Sequence, residues 1–183
     1  AEDSGVLVIT QGDLLANAVD VDGPSLTASS LAISSGIGTL VDNGNGTWNF
    51  TPALSDDTSV SFSYTISDGS LSVAGSATLD ITPVNDAPVI TMTGASLAYT
   101  ENDPATAVDS GLTVSDVDNA NLSGATVSIS INYDDGEDVL AFTNQLGIIG
   151  SWNAATGVLS LSGVATIPDY QTALRSVSYI NTS

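Results

Sequence analysis

The chain has 183 residues, of which 21 are acidic and one is basic, so its formal net charge is −20. This balance excludes nucleic acid as a partner, because almost nothing can neutralise phosphates, and it argues against an anionic membrane surface. Acidic chains are often disordered, but hydrophobic residues make up 42% of this one, which argues for a folded protein. The apolar runs are too short for membrane insertion.

The residue types that usually carry catalysis are missing. Histidine, cysteine and lysine are absent, so the common general bases and nucleophiles are lost and we expect no enzyme. Paired carboxylates can hydrolyse glycosides, but here they lie in turn motifs that calcium explains better. The lone base, Arg175, is predicted to be structural.

In the first half of the chain, alternation of apolar and polar residues predicts half-buried strands, as in Val60-Ser-Phe62-Ser-Tyr64. Strands are predicted near 4–9, 26–35, 37–41, 46–51, 60–67 and 71–82. Asn43-Gly44-Asn45-Gly46 and Asp68-Gly69 predict hairpins, since both dipeptide types suit two-residue turns with positive φ.

The second half repeats this plan. Strands are predicted near 95–100, 111–115, 124–133, 138–143, 147–153, 157–162 and 176–181. Residues 167–174 suit a single helical turn with Pro168 near its start. The first half continues past Ile66 through a hairpin and a final strand, whereas the second half stops at the matching place, just after Asn181. We therefore expect the second domain to lack its last hairpin and strand.

A stiff segment, Pro83-Val84-Asn85-Asp86-Ala87-Pro88, lies near the midpoint. Its two prolines fix φ and favour extended neighbours, so it is predicted to be a taut linker at 83–88 between domains 1–87 and 88–183. Asn85 and Asp86 offer oxygen ligands there, which calcium prefers. Acidic pairs recur on both sides of the linker, which predicts two like domains with metal between them.

Several motifs carry a family resemblance, and they lie at Glu2-Asp3 and at residues 12–17, 20–23, 45–52, 62–69 and 83–88, with further matches at 99–102, 115–118 and 173–179. Together they resemble the cadherin-like tandem repeats of large bacterial surface adhesins, of the VCBS and RTX-adhesin type. The resemblance implies an all-β fold of two tandem cadherin-like, immunoglobulin-like Greek-key β-sandwiches.

The resemblance also implies a function, which is a calcium-stiffened spacer in an extracellular bacterial adhesin at the cell surface, in cell adhesion or biofilm. Its partners would be neighbouring repeats of the same chain, and polysaccharide or a cell surface. A different class, a carbohydrate-binding module, is the alternative. Trp48 and Trp152 could stack on sugars, but their alternating strands favour core packing.

Cadherin geometry implies which oxygen-bearing residues hold Ca²⁺. An interdomain site would use Glu2, Asp56, Asp57, Asn85, Asp86, Asp116 and Asp118. A weaker site at the top of the first domain would use Asp20, Asp22 and Asp68, and an incomplete site at the bottom of the second would use Glu101 and Asp169. Each fragment supplies only part of the six to eight oxygens that calcium needs, so both domains and the linker would have to contribute. The acidic loop 134–138 is predicted to be a solvated hairpin tip.

The chain also contains four Asn-x-Ser/Thr sequons, at Asn45, Asn49, Asn121 and Asn181. They would matter in a eukaryotic secretory route, but a chain rich in Asn, Ser and Thr produces such motifs by chance.

Overall fold

The computed structural model describes residues 1–23 and 25–183 of an almost entirely β protein, with 44% of residues in strands and 8% in helices. The predicted all-β fold class is confirmed. The chain forms two compact units, Ala1–Asn85 and Asp86–Ser183. Within the described residues, neither helix is long and apolar enough to cross a membrane.

The first unit contains two three-stranded antiparallel sheets. Its elements are β1 (Leu7–Thr10), α1 (Gln11–Leu15), β2 (Thr27–Ser35), β3 (Gly38–Asp42), β4 (Thr47–Pro52), β5 (Val60–Ser67) and β6 (Ser72–Leu79). The strand orders are β1-β4-β3 and β2-β5-β6. Strands β3 and β4 form a hairpin within the first sheet and β5 and β6 form one within the second, while the chain passes between the sheets after β1, β2 and β4, as in a β-sandwich.

Alternation along the two central strands builds the core of the first unit. Trp48 and Phe50 of β4 are buried, and so are Val60 and Phe62 of β5. The Phe50 and Phe62 rings meet edge to face, with centroids 5.3 Å apart and planes at 89°. Because β4 and β5 belong to different sheets, this contact joins the two sheets. Burial of each such side chain stabilises the fold by about 1.5–3 kcal/mol.

The short helix α1 was not predicted from the sequence. Thr10 and Asp13 form a capping box, in which the Asp13 amide donates to Thr10 Oγ1 at 3.3 Å and the Thr10 amide donates to Asp13 Oδ2 at 2.8 Å. The Gln11 carboxamide exchanges two hydrogen bonds of 2.6 Å with the Ala28 backbone on β2. Because β2 is an edge strand, Gln11 pairs backbone groups that the sheet leaves open.

The second unit contains β7 (Val89–Thr91), β8 (Thr106–Ala107), β9 (Thr113–Ser115), β10 (Asn121–Ser128), β11 (Asp138–Ala141), β12 (Ile149–Asn153), β13 (Val158–Thr166), α2 (Ile167–Arg175) and β14 (Ser178–Asn181). Its sheets have the orders β10-β13-β12, β11-β14-β8 and β7-β9. The core is formed by buried residues from these sheets together with Tyr170, Ala173 and Leu174 of α2.

The predicted helical turn is a longer helix. Thr166 caps α2, and Pro168 lies in its first turn, as expected. The Arg175 Nε donates to the Leu112 carbonyl at 2.7 Å, and the Val114 amide donates to the Gln171 side chain at 3.1 Å. Arg175 therefore ties the end of α2 to the segment that leads into β9, in agreement with its predicted structural role.

Several predicted boundaries were wrong. Residues 95–100 form no strand; instead, Val89–Thr91 forms β7, which pairs with Thr113–Ser115. In this segment Tyr99 serves side-chain packing, because its ring lies edge to face on Tyr179 with the ring centroids 4.8 Å apart. Strand β10 begins at Asn121 and ends at Ser128, not at 133. Both predicted hairpins exist, but with loops 43–46 and 68–71 rather than two-residue turns.

Two buried tyrosine hydroxyls allow a test of whether the units unfold separately. Tyr64 donates to the Leu14 carbonyl at 2.8 Å, and Tyr170 donates to the Gly163 carbonyl at 2.6 Å. Removal of either hydroxyl leaves a carbonyl without its partner, which costs about 1–3 kcal/mol. We expect Tyr64→Phe to lower the melting temperature of the first unit alone, and Tyr170→Phe that of the second, by roughly 4–8 °C per kcal/mol in calorimetry. A single transition shifted equally by both variants would mean that the units unfold together.

Candidate functional site

Glu2 is the most buried acidic residue of the chain among those described, with 2% of its surface exposed. Its amide donates to the Thr82 carbonyl at 3.0 Å, and its Oε1 accepts from the Val84 amide at 2.6 Å. The segment after β6 thus folds back on Glu2. A carboxylate that is buried in this way needs charge compensation, because desolvation disfavours the ion.

A second segment approaches the same end of the first unit. Asp3, in the left-handed region with φ of 54°, accepts from the Ser55 amide at 3.2 Å, so the residue after Glu2 contacts the residue before Asp56. Asp56 Oδ1 accepts from the Thr58 hydroxyl at 2.6 Å and its amide at 3.0 Å. These bonds, the hydroxyl first, lower the pKa of Asp56.

The other oxygen of Asp56 is different. Among the residues that the structure describes, Asp56 Oδ2 is buried and receives no hydrogen bond. Such an atom is costly in the absence of a cation or donor. Glu2, Asp3 and Asp56 are called the Glu2–Asp56 end below. Asp57, also predicted as a ligand, is exposed, and so is Asn85. Asp3 was absent from the predicted ligands, although it directly follows Glu2.

In the second unit, the predicted ligands form a network of turns. Asp118 Oδ2 accepts from the Asp86 amide at 2.5 Å, which ties the linker residue to the loop after β9. Asp116 Oδ1 accepts from the amides of Asp118 at 3.0 Å and Asn119 at 2.8 Å. Hydrogen bonds thus link Asp86, Asp116 and Asp118, with Asn119 as an additional member, and their role as calcium ligands stays a prediction. The signal for Asn119 is its position directly after Asp-Val-Asp.

Asp20, Asp22 and Asp68 line one open depression of about 610 Å³ in the first unit. Asp20 Oδ1 accepts from the Asp22 amide at 3.1 Å, and Asp68 Oδ1 accepts from the amides of Ser70 and Leu71, both at 2.6 Å. The Asp20 carboxylate lies so close to Gly23 that a Cβ there would approach its Oδ2 to 2.2 Å. A larger residue at position 23 would therefore require the Asp20 carboxylate to move.

The two acids predicted at the bottom of the second unit have different surroundings. Asp169 forms a capping interaction at the start of α2, with its Oδ2 accepting from the Thr166 hydroxyl at 2.6 Å. Glu101 is exposed in the turn before β8. The cap explains why an acid stands at Asp169 without any metal, and its role as a ligand remains a prediction from the sequence.

The acidic loop 134–138 is only partly the solvated tip that the sequence suggested. Asp134 and Asp135 are exposed, but Asp138 has only 6% of its surface exposed. It accepts from the Tyr179 hydroxyl, from Asn181 Nδ2 at 2.9 Å and from the Asp134 amide at 2.9 Å. Asp138 is therefore a structural residue that links β11 to β14.

Among residues 1–23 and 25–183, no three acidic side chains are already arranged around a common metal position. The residues of the Glu2–Asp56 end nevertheless fit a cation, since they combine a buried carboxylate with a buried carboxylate oxygen that lacks a donor. These are the hard oxygen ligands that calcium selects.

Both tryptophans pack against the cores of their units. Trp48 is 3% exposed within the core of the first unit, as the alternation predicted. Trp152 is half-buried, packs against the core of the second unit and meets Tyr133 edge to face at 6.1 Å. Core packing is therefore confirmed for Trp48 and favoured for Trp152.

Comparison with known proteins identifies the first unit. Residues 1–82 match the family model described as a cadherin-like domain. The chain is 34% identical over 143 residues to halomucin of Haloquadratum walsbyi (strain DSM 16790 / HBSQ001), a match that covers 75% of this chain. It spans only 2% of that curated relative. No solved structure matches. The first unit is thus similar to a cadherin-like domain, and the matches do not single out the bacterial RTX adhesins.

Asp138 makes a testable contribution to stability. Its hydrogen bond from Tyr179, with a further bond from Asn181, lowers the pKa of Asp138 in the folded state. The stabilisation is therefore present above the unfolded value of about 3.9 and is lost as the pH falls through the folded value. We expect Asp138→Asn to lower the free energy of unfolding at pH 7 by about 1.5–3 kcal/mol. The difference from wild type should shrink towards pH 2 in urea titrations; a constant difference would contradict a role for the charge.

Proposed function

We propose that this chain is a calcium-binding spacer module of a large extracellular protein of the adhesion type. The observation that carries the proposal is the Glu2–Asp56 end, where a buried carboxylate and a buried, donor-free carboxylate oxygen lie in a chain with a single base. The one arginine donates to a backbone carbonyl, and a single basic side chain cannot neutralise the many carboxylates of the chain.

Calcium suits these residues better than other common cations. The available ligands are carboxylate and carbonyl oxygens, and calcium accepts six to eight of them in irregular geometry, whereas magnesium demands near-octahedral geometry and gives up its water reluctantly. Glu2 and Asp56 would hold the ion, with Asp3 as a neighbour. When bound, the ion supplies the positive charge that relieves the repulsion among the acids.

The matches support the coarser part of the proposal. The match of the first unit to a cadherin-like domain supports a structural and adhesive module rather than an enzyme, and the relative is many times longer than this chain. The proposal places this adhesion-type module outside the cell. The packing of the tryptophans favours a spacer over a carbohydrate-binding module, because Trp48 is buried and Trp152 packs against the core and Tyr133.

The stiffening role rests on the sequence. The linker 83–88 contains two prolines, and its Asp86 is tied to Asp118. We propose that ions shared among Glu2, Asp56, Asp57, Asn85, Asp86, Asp116 and Asp118 restrict the linker. Asp20, Asp22 and Asp68, and separately Glu101 and Asp169, would be weaker ligand sets.

Calcium should stabilise the first unit. At a free concentration ~100-fold above the dissociation constant, an ion that binds only the folded state adds ~2.7 kcal/mol. Extracellular sites of this kind bind with dissociation constants of about 0.1–1 mM, so the melting temperature should rise across millimolar calcium and much less with magnesium. Differential scanning calorimetry of wild type in EDTA and in calcium measures this.

Matched variants identify the site. Glu2→Gln and Asp56→Asn should each remove most of the calcium-dependent rise, since they remove a charged ligand but keep the shape. Asp42→Asn is the control, because Asp42 only accepts from the Gly44 amide in the β3–β4 hairpin. If all variants respond to calcium like wild type, or if wild type does not respond, calcium is not bound at this end.

The spacer role has its own test. In calcium, Asp86→Ala and Asp116→Ala should give a broader and on average shorter particle by small-angle X-ray scattering, like wild type in EDTA, while the circular dichroism spectrum stays unchanged. The ligands lie in loops, so the core is not affected. Variants that stay as extended as wild type would show that the prolines, not ions, set the linker geometry.

A further inference from the structure

The tip of the β3–β4 hairpin carries a chemical motif that the proposed calcium function does not use. Asn45-Gly46-Thr47 is an acceptor motif for N-linked glycans, in which a carboxamide is followed two residues later by a hydroxyl. Asn45 is exposed, and Gly44 and Gly46 on either side have φ of 72° and 82°. The glycines allow the chain to turn there. Because Asn45 is exposed at this turn, a bulky group on it displaces no core side chain.

The local geometry brings the two functional groups of the motif into contact. Asn45 Oδ1 accepts from the Thr47 hydroxyl at 2.7 Å and from the Thr47 amide at 3.1 Å. The side chain is therefore held in a turn that closes on its own hydroxyl partner. With Oδ1 engaged, Nδ2 is the atom of this carboxamide that remains for reaction.

The three other acceptor motifs have surroundings that disfavour modification of the folded chain. Asn49 lies half-buried in β4, the central strand of its sheet, opposite both Val8 and Val41. Asn121 is exposed, but it starts β10 in an extended pairing with Thr166.

Asn181 is the instructive comparison. Its Oδ1 accepts from the Ser183 hydroxyl at 2.7 Å, so it shares the turn geometry of Asn45. Its Nδ2, however, donates to Asp138 Oδ1 at 2.9 Å, and the residue is half-buried in the central strand β14. The atom that a glycan would join is thus already committed to the fold.

We propose that Asn45 is an N-glycosylation site, and that the fold selects it over the other three motifs. The glycan donor is a sugar linked through phosphate to a polyprenyl lipid. A bond forms between Asn45 Nδ2 and the sugar C1 while the bond from C1 to the phosphate oxygen breaks. The lipid phosphate leaves with the electron pair, and the Nδ2 proton passes to a carboxylate base of the transferase. No oxidation or reduction is involved.

The test uses folded protein, a purified oligosaccharyltransferase and a lipid-linked oligosaccharide, with a short exposed acceptor peptide in the same reaction as a positive control. Intact mass and peptide mapping should show one glycan, at Asn45. Asn45→Gln should abolish it and Thr47→Val should nearly abolish it, whereas Thr47→Ser, which keeps the hydroxyl, should retain it. Asn121→Gln is the matched exposed control and should have no effect.

Two further experiments test whether the fold protects the other motifs and whether Asn45 is glycosylated in the natural source. Unfolded protein should be modified at additional motifs, because the strand pairings that protect them are gone. Protein isolated from its natural source should carry a glycan at Asn45 by peptide mapping. The proposal is overturned if Asn45 stays unmodified while the control peptide reacts, if Asn121 or Asn181 is preferred in folded protein, or if the native protein is unmodified at Asn45. Because calcium affinity is not measured here, failure would leave the proposed calcium function intact.

Discussion

The constraint on which this structure depends is the need to accommodate 21 carboxylates with a single basic side chain. The solution is repeated along the chain: an aspartate accepts a hydrogen bond from the backbone amide two residues later. This turn occurs at Asp20, Asp42, Asp56, Asp68, Asp109 and Asp116. Each carboxylate is stabilised by amides that a tight turn would otherwise leave unpaired, so charge and turn formation support each other.

The same arrangement explains several low pKa values. Backbone amides, chiefly those of Thr93 and Gly111, lower the pKa of Asp109, and the amides of Leu71 and Ser70 lower that of Asp68. A hydrogen bond to the ionised form favours it. Asp109 and Asp68 therefore keep their charge to a lower pH than an ordinary aspartate. These hydrogen bonds hold the turns together but do not neutralise the carboxylates. The repulsion that remains among the carboxylates is what a divalent cation would relieve.

The Glu2–Asp56 end departs from this pattern. Glu2 is more buried than any turn aspartate, and the second oxygen of Asp56 is buried without a donor among the described residues. That contrast, more than the number of acids, is the reason to place an ion there. The β3–β4 hairpin shows the neutral version of the same turn, because Asn45 takes the aspartate role with Thr47.

Local pattern determined much of this fold. Alternation predicted β5 at residues 60–67 with its exact bounds and Trp48 in the core, because the strand period of two is written into neighbouring residues. The acidic turns and both hairpins followed from single residues and dipeptides. The tertiary structure decided what depends on distant partners. Val89–Thr91 is a strand because Thr113–Ser115 pairs with it, and Glu2 is buried because Val84 folds back onto it. Such contacts join residues far apart in the chain, and no local period records them.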